Sequence, residues 1–286
     1  MKLPDYNSPS DLKMILDTNG FSMQKKFGQN FLINESARIK LIDALDINEN
    51  TTVWEIGPGL GAMTSEILKR KADLTVFEID KGFIKLISQY FEPFSAQNKF
   101  KIIEGDVLKN WKKQSKIQIP QRCFGNLPYN IAATFVADTI ENNIRFEKCV
   151  FTVQKEVALR MAAKPGDENY SSFSVLCNWA YDVKPLMDLT GSNFWPKPNV
   201  DSRAVVMTPK NDFPGCKDIS LFIKVNRALF SSRRKNVRNN LSIFLHNNDL
   251  TLSVLNQAGV DPTLRAEVLQ ISDVLKIADV IYEVQK

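Results

Sequence analysis

The sequence predicts an α/β protein: a mainly parallel, seven-stranded sheet followed by a small all-α C-terminal domain. Three observations point there. Residues 51–210 alternate short β-branched or aromatic runs with helical segments, the pattern of a parallel sheet covered by helices on both faces. A glycine-rich turn follows the first run and opens a helix. After Pro209, the turn-rich stretch Asn211-Asp212-Phe213-Pro214-Gly215 gives way to helical periodicity alone, from Ile219 to the end.

Strands are expected at Thr52–Ile56, Leu74–Ile79, Lys101–Val107, Arg122–Gly125, Cys149–Val153, Phe173–Ala180 and Ala204–Thr208. Helical composition marks Met63–Lys71, Gly82–Phe91, Ile131–Asn142 and Lys155–Ala163. The C-terminal helices should break near Asn247–Asp249 and at Gly259–Pro262. The implied division is an N-terminal extension over 1–22, an α/β domain over 23–210 and a helical domain over 211–286.

Composition excludes several function classes. His246 is the single histidine in 286 residues, so a Ser-His-Asp hydrolase or a histidine-ligated zinc site would have to be built around it. Cys123, Cys149, Cys177 and Cys216 lie 26, 28 and 39 residues apart with no C-x-x-C pair. That spacing suits reduced, buried thiols better than a metal site or a disulfide scaffold. The first twenty residues are polar, and no apolar run approaches the ~18 residues of a membrane span. A monomeric cytoplasmic protein without metal or membrane partner is the expectation.

Net charge is +5, with 37 basic and 32 acidic residues, so its distribution matters more than its sum. Residues 221–240 hold Lys224, Arg227, Arg233, Arg234, Lys235 and Arg238 and no acid. On one continuous helix, Arg227, Arg234 and Arg238 would share a face. Lys25 and Lys26 form a second basic cluster. Such patches on a balanced chain suit a polyanion such as RNA, a solvated basic helix being the alternative.

The chemistry-bearing residues all end strands. Glu55-Ile56-Gly57-Pro58-Gly59-Leu60-Gly61 lets the backbone turn tightly and approach a ligand. Glu78, 17 residues beyond Gly61, ends the next strand, where an acid accepts hydrogen bonds from both ribose hydroxyls. Asp106 ends the third. In open α/β sheets, ligands bind at that carboxyl edge. The loop is G-x-G-x-G rather than G-x-G-x-x-G, which favours a small adenosyl ligand such as S-adenosylmethionine over NAD. Asn126-Leu127-Pro128-Tyr129 follows the fourth strand. A purine amine is a poor nucleophile because its lone pair is delocalised. The Asn126 amide oxygen and the Leu127 carbonyl, accepting its two N–H bonds, would favour a tetrahedral nitrogen. Pro128 stiffens the turn without a competing N–H, and Tyr129 offers a stacking face for a flipped base.

On these segments the chain resembles the KsgA/RsmA family of small-subunit rRNA adenine N6,N6-dimethyltransferases, whose wider group includes the Erm enzymes. The likeness runs from about Lys25 to about Leu269. It includes Lys26-Phe27-Gly28-Gln29-Asn30-Phe31-Leu32, the Glu55–Gly61 loop, Gly125–Tyr129 and Gln154-Lys155-Glu156-Val157. It continues through Phe194-x-Pro196-x-Pro198-x-Val200-Asp201-Ser202, then Phe230-x-x-Arg233-Arg234-Lys235-x-x-Arg238-Asn239-x-Leu241, and ends at Asp261-Pro262-x-x-Arg265-Ala266-Glu267. The resemblance implies a class I S-adenosylmethionine-dependent methyltransferase fold, Rossmann-like in its sheet. It also implies a cofactor pocket lined by Asn30, Leu32, Glu55, Gly57, Gly59, Gly61, Glu78, Asp106 and Asn126. From the residues alone, Gln29-Asn30 reads more readily as a turn or helix cap. Phe194 resembles a second stacking aromatic opposite Tyr129, with a core phenylalanine as the alternative. The implied substrate is a pair of adjacent adenosines in the hairpin loop near the 3′ end of 16S rRNA, in the small ribosomal subunit or its precursor. Three other readings stand beside it: an assembly factor that binds without needing to methylate, an Erm-like large-subunit enzyme, and a DNA adenine methyltransferase.

Overall fold

Val, Ile, Trp and Phe at successive positions of the strands around Thr52–Ile56 need apolar cover on both faces, and the structure supplies it. The computed structural model describes residues 2–21, 29–128 and 131–286. In chain order its elements are α1 (Pro9–Thr18), β1 (Phe31–Leu32), α2 (Glu35–Asp43), β2 (Thr52–Ile56), α3 (Ala62–Lys69), β3 (Asp73–Glu78), α4 (Lys81–Tyr90), α5 (Glu92–Ala96) and β4 (Phe100–Glu104). There follow α6 (Val107–Ser115), β5 (Arg122–Asn126), α7 (Ala132–Glu141), β6 (Lys148–Gln154), α8 (Lys155–Ala162), α9 (Ser172–Ala180), β7 (Tyr181–Leu189), β8 (Phe194–Trp195) and β9 (Ser202–Pro209). The chain ends in α10 (Ile219–Leu229), α11 (Val237–Leu245), α12 (Asn248–Ala258) and α13 (Ile271–Val284).

Among the described residues, seven strands form one sheet in the order β4-β3-β2-β5-β6-β9-β7. The β3–β4, β2–β3, β2–β5 and β5–β6 pairs are parallel, and β9 runs antiparallel to β6. Strand order reverses between β2 and β5, so the loops after these two strands diverge and leave a crevice at their carboxyl ends. The short β1 pairs with β8, matching Phe31 with Trp195 and Leu32 with Phe194.

The chain divides into two compact units. One comprises residues 1–135, 146–158 and 184–208; the other comprises 136–145, 159–183 and 209–286. The core of the first includes Leu12 and Leu16 of α1 beside Leu41, Ile42, Val53, Ile67, Val76 and Ile87. In the second, Trp179 packs against Phe213 and Phe222 with ring centroids 4.4 and 4.3 Å away, and the Tyr170 hydroxyl donates to the Leu269 carbonyl at 3.0 Å. Cys123, Cys149 and Cys177 are buried free thiols, and Cys216 is half-buried. Among the described residues, no helix is long and apolar enough to cross a membrane.

Two local expectations are corrected. Phe173–Ala180 is not a strand but the body of α9, and the strand is the next segment, β7. Every residue from Phe173 to Ala180 is buried, and its one sign of a helical period, Ser174 and Asn178 four residues apart, is turned inward onto backbone carbonyls. Its start is fixed by a capping box in which the Ser171 and Ser174 side chains serve each other's backbone amides. The β7 strand lies at the sheet edge, where Pro185 and the outward polar residues are tolerated. The basic stretch, likewise, is not one helix. It ends α10 at Leu229, turns through 230–236 and restarts at α11, where the Asn236 side chain accepts from the Asn239 amide at 2.8 Å. Arg227, Arg234 and Arg238 therefore share no helical face.

Candidate active site

The crevice holds a cavity of about 280 Å³, lined from the glycine loop by Gly57 and Gly59, from β3 by Glu78 and from the start of α6 by Asp106. Asn30, Leu32, Glu55, Asn126 and Pro128 also line it. The loop makes its turn because Gly57, Gly59 and Gly61 adopt φ values of +69°, +57° and +88°, a region closed to most side chains. A Cβ at Gly57 would stand in open space, whereas one at Gly61 would lie 2.6 Å from the Phe91 ring. Gly57 thus keeps backbone exposed to a ligand, while Gly61 is required for packing.

Glu78 is fixed before any ligand arrives. Its Oε2 accepts from the Gly59 amide at 3.1 Å, and its Oε1 accepts from the Ile79 and Asp80 amides at 2.8 Å each. A carboxylate offers about four acceptor positions, so three backbone amides leave Glu78 with capacity to accept from a ligand. Burial pushes its pKa up to about 7, against the pull of the three amides. Asp106 caps α6 by accepting from the Leu108 amide at 2.9 Å through Oδ1. Gly105 and Val107 beside it also line the cavity.

Asn126 ends β5 with its amide nitrogen donating to the Asn30 carbonyl at 3.0 Å. With the nitrogen end engaged there, where two oxygens would repel, Oδ1 is the end left to accept. The Leu127 amide donates to the Thr152 carbonyl and its side chain is buried. The Pro128 carbonyl receives the Ile131 and Ala132 amides ahead of α7. Gly125 matters for space: a Cβ there would meet Leu127 Cδ2 at 2.5 Å and Ile56 Cβ at 3.4 Å. Tyr129, Lys25 and Lys26 lie outside the described residues. Phe194 is 4% exposed within the core and is not among the residues lining the cavity. The cap of α2 is Asn34 rather than Asn30, and it accepts from the Ala37 amide at 3.0 Å.

Glu55, 1% exposed, accepts from the Thr64 hydroxyl at 2.7 Å and so ties β2 to α3. Burial, reinforced by the Glu78 charge, raises its pKa to about 8. Between its ordinary value and about 8 the folded chain holds a proton that the unfolded chain releases. The stability contribution is therefore full below the usual carboxylate range and lost as pH rises through about 8. Stability from urea titrations should fall across this window, by at most about 5 kcal/mol from this group. Glu55→Gln should make the fall shallower, leaving the part that Glu78 contributes through about pH 7, and a wild-type stability constant from about pH 5 to 9 would refute the assignment.

Of the basic residues, Arg227 pairs with both Glu141 oxygens at 2.5 and 2.6 Å. Arg233 reaches Glu267 at 3.3 Å and the Glu168 carbonyl at 2.8 Å. Arg234, Lys235 and Arg238 lie on the turn and at the start of α11, and among the described residues none of them reaches a carboxylate. Phe31, from the Lys26–Leu32 segment, also lines the cavity, as do Tyr6 and Phe83, which no sequence motif announces. They reach it through tertiary packing.

A glycine loop after β2, an acid ending β3 and a cavity at the carboxyl edge of this sheet define a class I S-adenosylmethionine-dependent methyltransferase. The donor set suits that cofactor: Glu78 and Asp106 offer acceptors for hydroxyl and amino groups, between the apolar walls of Ile79, Val107 and Phe124. Residues 20–283 match the ribosomal RNA adenine dimethylase family, and the chain belongs to it. It is 49% identical to ribosomal RNA small subunit methyltransferase A of Treponema denticola, over 97% of this chain and 96% of that one. Identity to the protein of the same name from Borreliella afzelii is 43%, over 85% and 84%. A dimethyladenosine transferase from Plasmodium falciparum superposes with a TM-score of 0.74 at 26% identity, over 85% of this chain and 94% of that one. The 23S rRNA methyltransferase ErmE shares the fold, with a TM-score of 0.63 at 19% identity, over 88% and 99%.

Proposed function

We propose that this enzyme dimethylates N6 of two adjacent adenosines in the hairpin loop near the 3′ end of 16S rRNA, within the small ribosomal subunit or its precursor. The observation that carries the chemistry is the Asn126 side chain, which lines the cavity and is anchored at its nitrogen end by Asn30, leaving Oδ1 as its acceptor. Bound there, S-adenosylmethionine supplies a methyl group already activated by its sulfonium. Asn126 Oδ1 and the Leu127 carbonyl accept the two N–H bonds of the adenine amine and hold its nitrogen tetrahedral, with its lone pair directed into the cavity. The buried surroundings of Leu127 and the strand-end rigidity of Asn126 supply alignment and exclude water. Glu78 accepts a ribose hydroxyl, Asp106 the adenine amino group, and the Gly57–Gly59 backbone passes close to the ligand. Loop bases are unstacked at low cost, which suits an enzyme that must extract its base.

The reading is tested by labelled methyl transfer to unmodified small subunits, naked rRNA and large subunits, with the modified base mapped. Dimethyladenosine at two adjacent positions of small-subunit RNA is expected. Label confined to large subunits would overturn it in favour of an Erm-like activity.

RNA contact is assigned to the helical unit through Arg234, Lys235 and Arg238, with Arg227 and Arg233 engaged internally. Phosphate interactions contribute affinity through counterion release. Removing one such interaction should lower the slope of log affinity against log salt by about 0.7–0.9. Arg234→Ala/Arg238→Ala should therefore bind subunits more weakly and with a flatter salt dependence, at unchanged cofactor affinity. An unaltered slope in a salt titration would return these residues to ordinary solvated surface.

A further inference from the structure

Residues ahead of the first family-like motif are not a loose extension. The Tyr6 hydroxyl donates to the Leu60 carbonyl at 3.1 Å, and Tyr6 and Leu12 both line the cavity. The peptide they address is the last of the glycine loop. Its carbonyl is held by Tyr6, while its N–H, on Gly61, donates to the Pro58 carbonyl at 2.9 Å. Both ends of one peptide plane are thereby fixed in a loop whose three glycines give it the most freedom in this part of the chain. Tyr6 is itself secured by Arg38, 3% exposed. The Arg38 guanidinium lies 5.9 Å from the Tyr6 ring centroid and donates to the Asn7 side chain at 2.7 Å and to the Leu32 carbonyl at 2.9 Å. Leu32 is two residues from Asn30, whose carbonyl orients Asn126. One run of buried and part-buried contacts thus links the N-terminal arm to both halves of the site.

We infer that Tyr6 is a positioning residue for S-adenosylmethionine: the N-terminal arm, secured by Arg38, pre-organises the glycine loop through the Tyr6 hydroxyl. The inference rests on the cofactor occupying this cavity. A loop already held in its binding geometry loses less freedom when a ligand arrives, so the gain appears as affinity.

Tyr6→Phe keeps the ring and its packing and removes only the hydroxyl. By calorimetry, the variant should bind S-adenosylmethionine about 3- to 10-fold more weakly than wild type, the range for one hydrogen bond. The loss should appear in KM for S-adenosylmethionine and not in KM for RNA. Arg38→Gln, which loosens the arm without touching the loop, should move the same constant in the same direction. A Tyr6→Phe protein that melts lower but binds the cofactor as tightly as wild type would reduce Tyr6 to a packing residue and overturn the inference. Failure of the wild-type protein itself to bind S-adenosylmethionine would instead overturn the cofactor assignment.

Discussion

Asn126→Ala should lower methyl transfer to adenosine by on the order of 10²–10³-fold, the usual cost of removing one pre-organised polar group from a reacting centre. Subunit binding should persist, because the proposed phosphate-binding residues lie in the other unit. Asn126→Asp separates the two ends of the side chain. It keeps an acceptor but sets a carboxylate oxygen against the Asn30 carbonyl, where an amide nitrogen now donates at 3.0 Å. It should therefore also be strongly impaired, although it is isosteric. Single-turnover assays with equal subunit occupancy check both. Near wild-type dimethylation by Asn126→Ala would leave the tetrahedral-nitrogen mechanism without its principal residue.

Glu78→Ala should weaken S-adenosylmethionine binding by roughly 10–150-fold, the cost of a hydrogen bond to a charged group. It also strands three amides that the carboxylate now satisfies, so the folded fraction needs measuring alongside. Glu78→Gln gives a cleaner signature through pH. In the free protein the Glu78 pKa is raised to about 7 by burial, and a ribose hydroxyl donates best to the ionised form. Affinity should rise with pH through about 7 and be roughly tenfold weaker at about pH 6 than at about pH 8. Glu78→Gln should lose that dependence. A pH-independent wild-type affinity would mean that the cofactor does not use this carboxylate.

Much of the site was legible because its parts end strands. The Glu55–Gly61 loop, Glu78, Asp106 and Asn126–Pro128 each follow a short apolar run, and parallel pairing brings such ends to one edge. What stayed hidden depended on burial or on distance along the chain. Phe173–Ala180 reads as a short apolar run because all of its faces are covered, and the Ser174–Asn178 pair is too little to mark a helix. The break at 230–236 was masked by the regular spacing of arginines, since charge spacing does not report a cap such as Asn236. Tyr6 and Arg38 have no local pattern, because their partners Leu60 and Leu32 are set by packing. Glu78 was recognised as an acceptor, but the three amides that share it come from backbone geometry that sequence does not display.

Position 125 shows how narrowly such a site constrains its own future. Gly125 is enclosed by the folded-back Leu127 side chain and by Ile56 of the neighbouring strand. A single added methyl would push on Leu127, whose carbonyl is proposed to receive the substrate amine. An added Cβ there obliges the Leu127 side chain to shift, so this position acts on the turn through packing alone. Attempts to retarget the enzyme to another exocyclic amine have little to gain by altering the turn itself. If Arg234, Lys235 and Arg238 bind phosphates as proposed, change on the arginine-rich turn alters how tightly RNA is held and leaves the Asn126–Pro128 turn as it is.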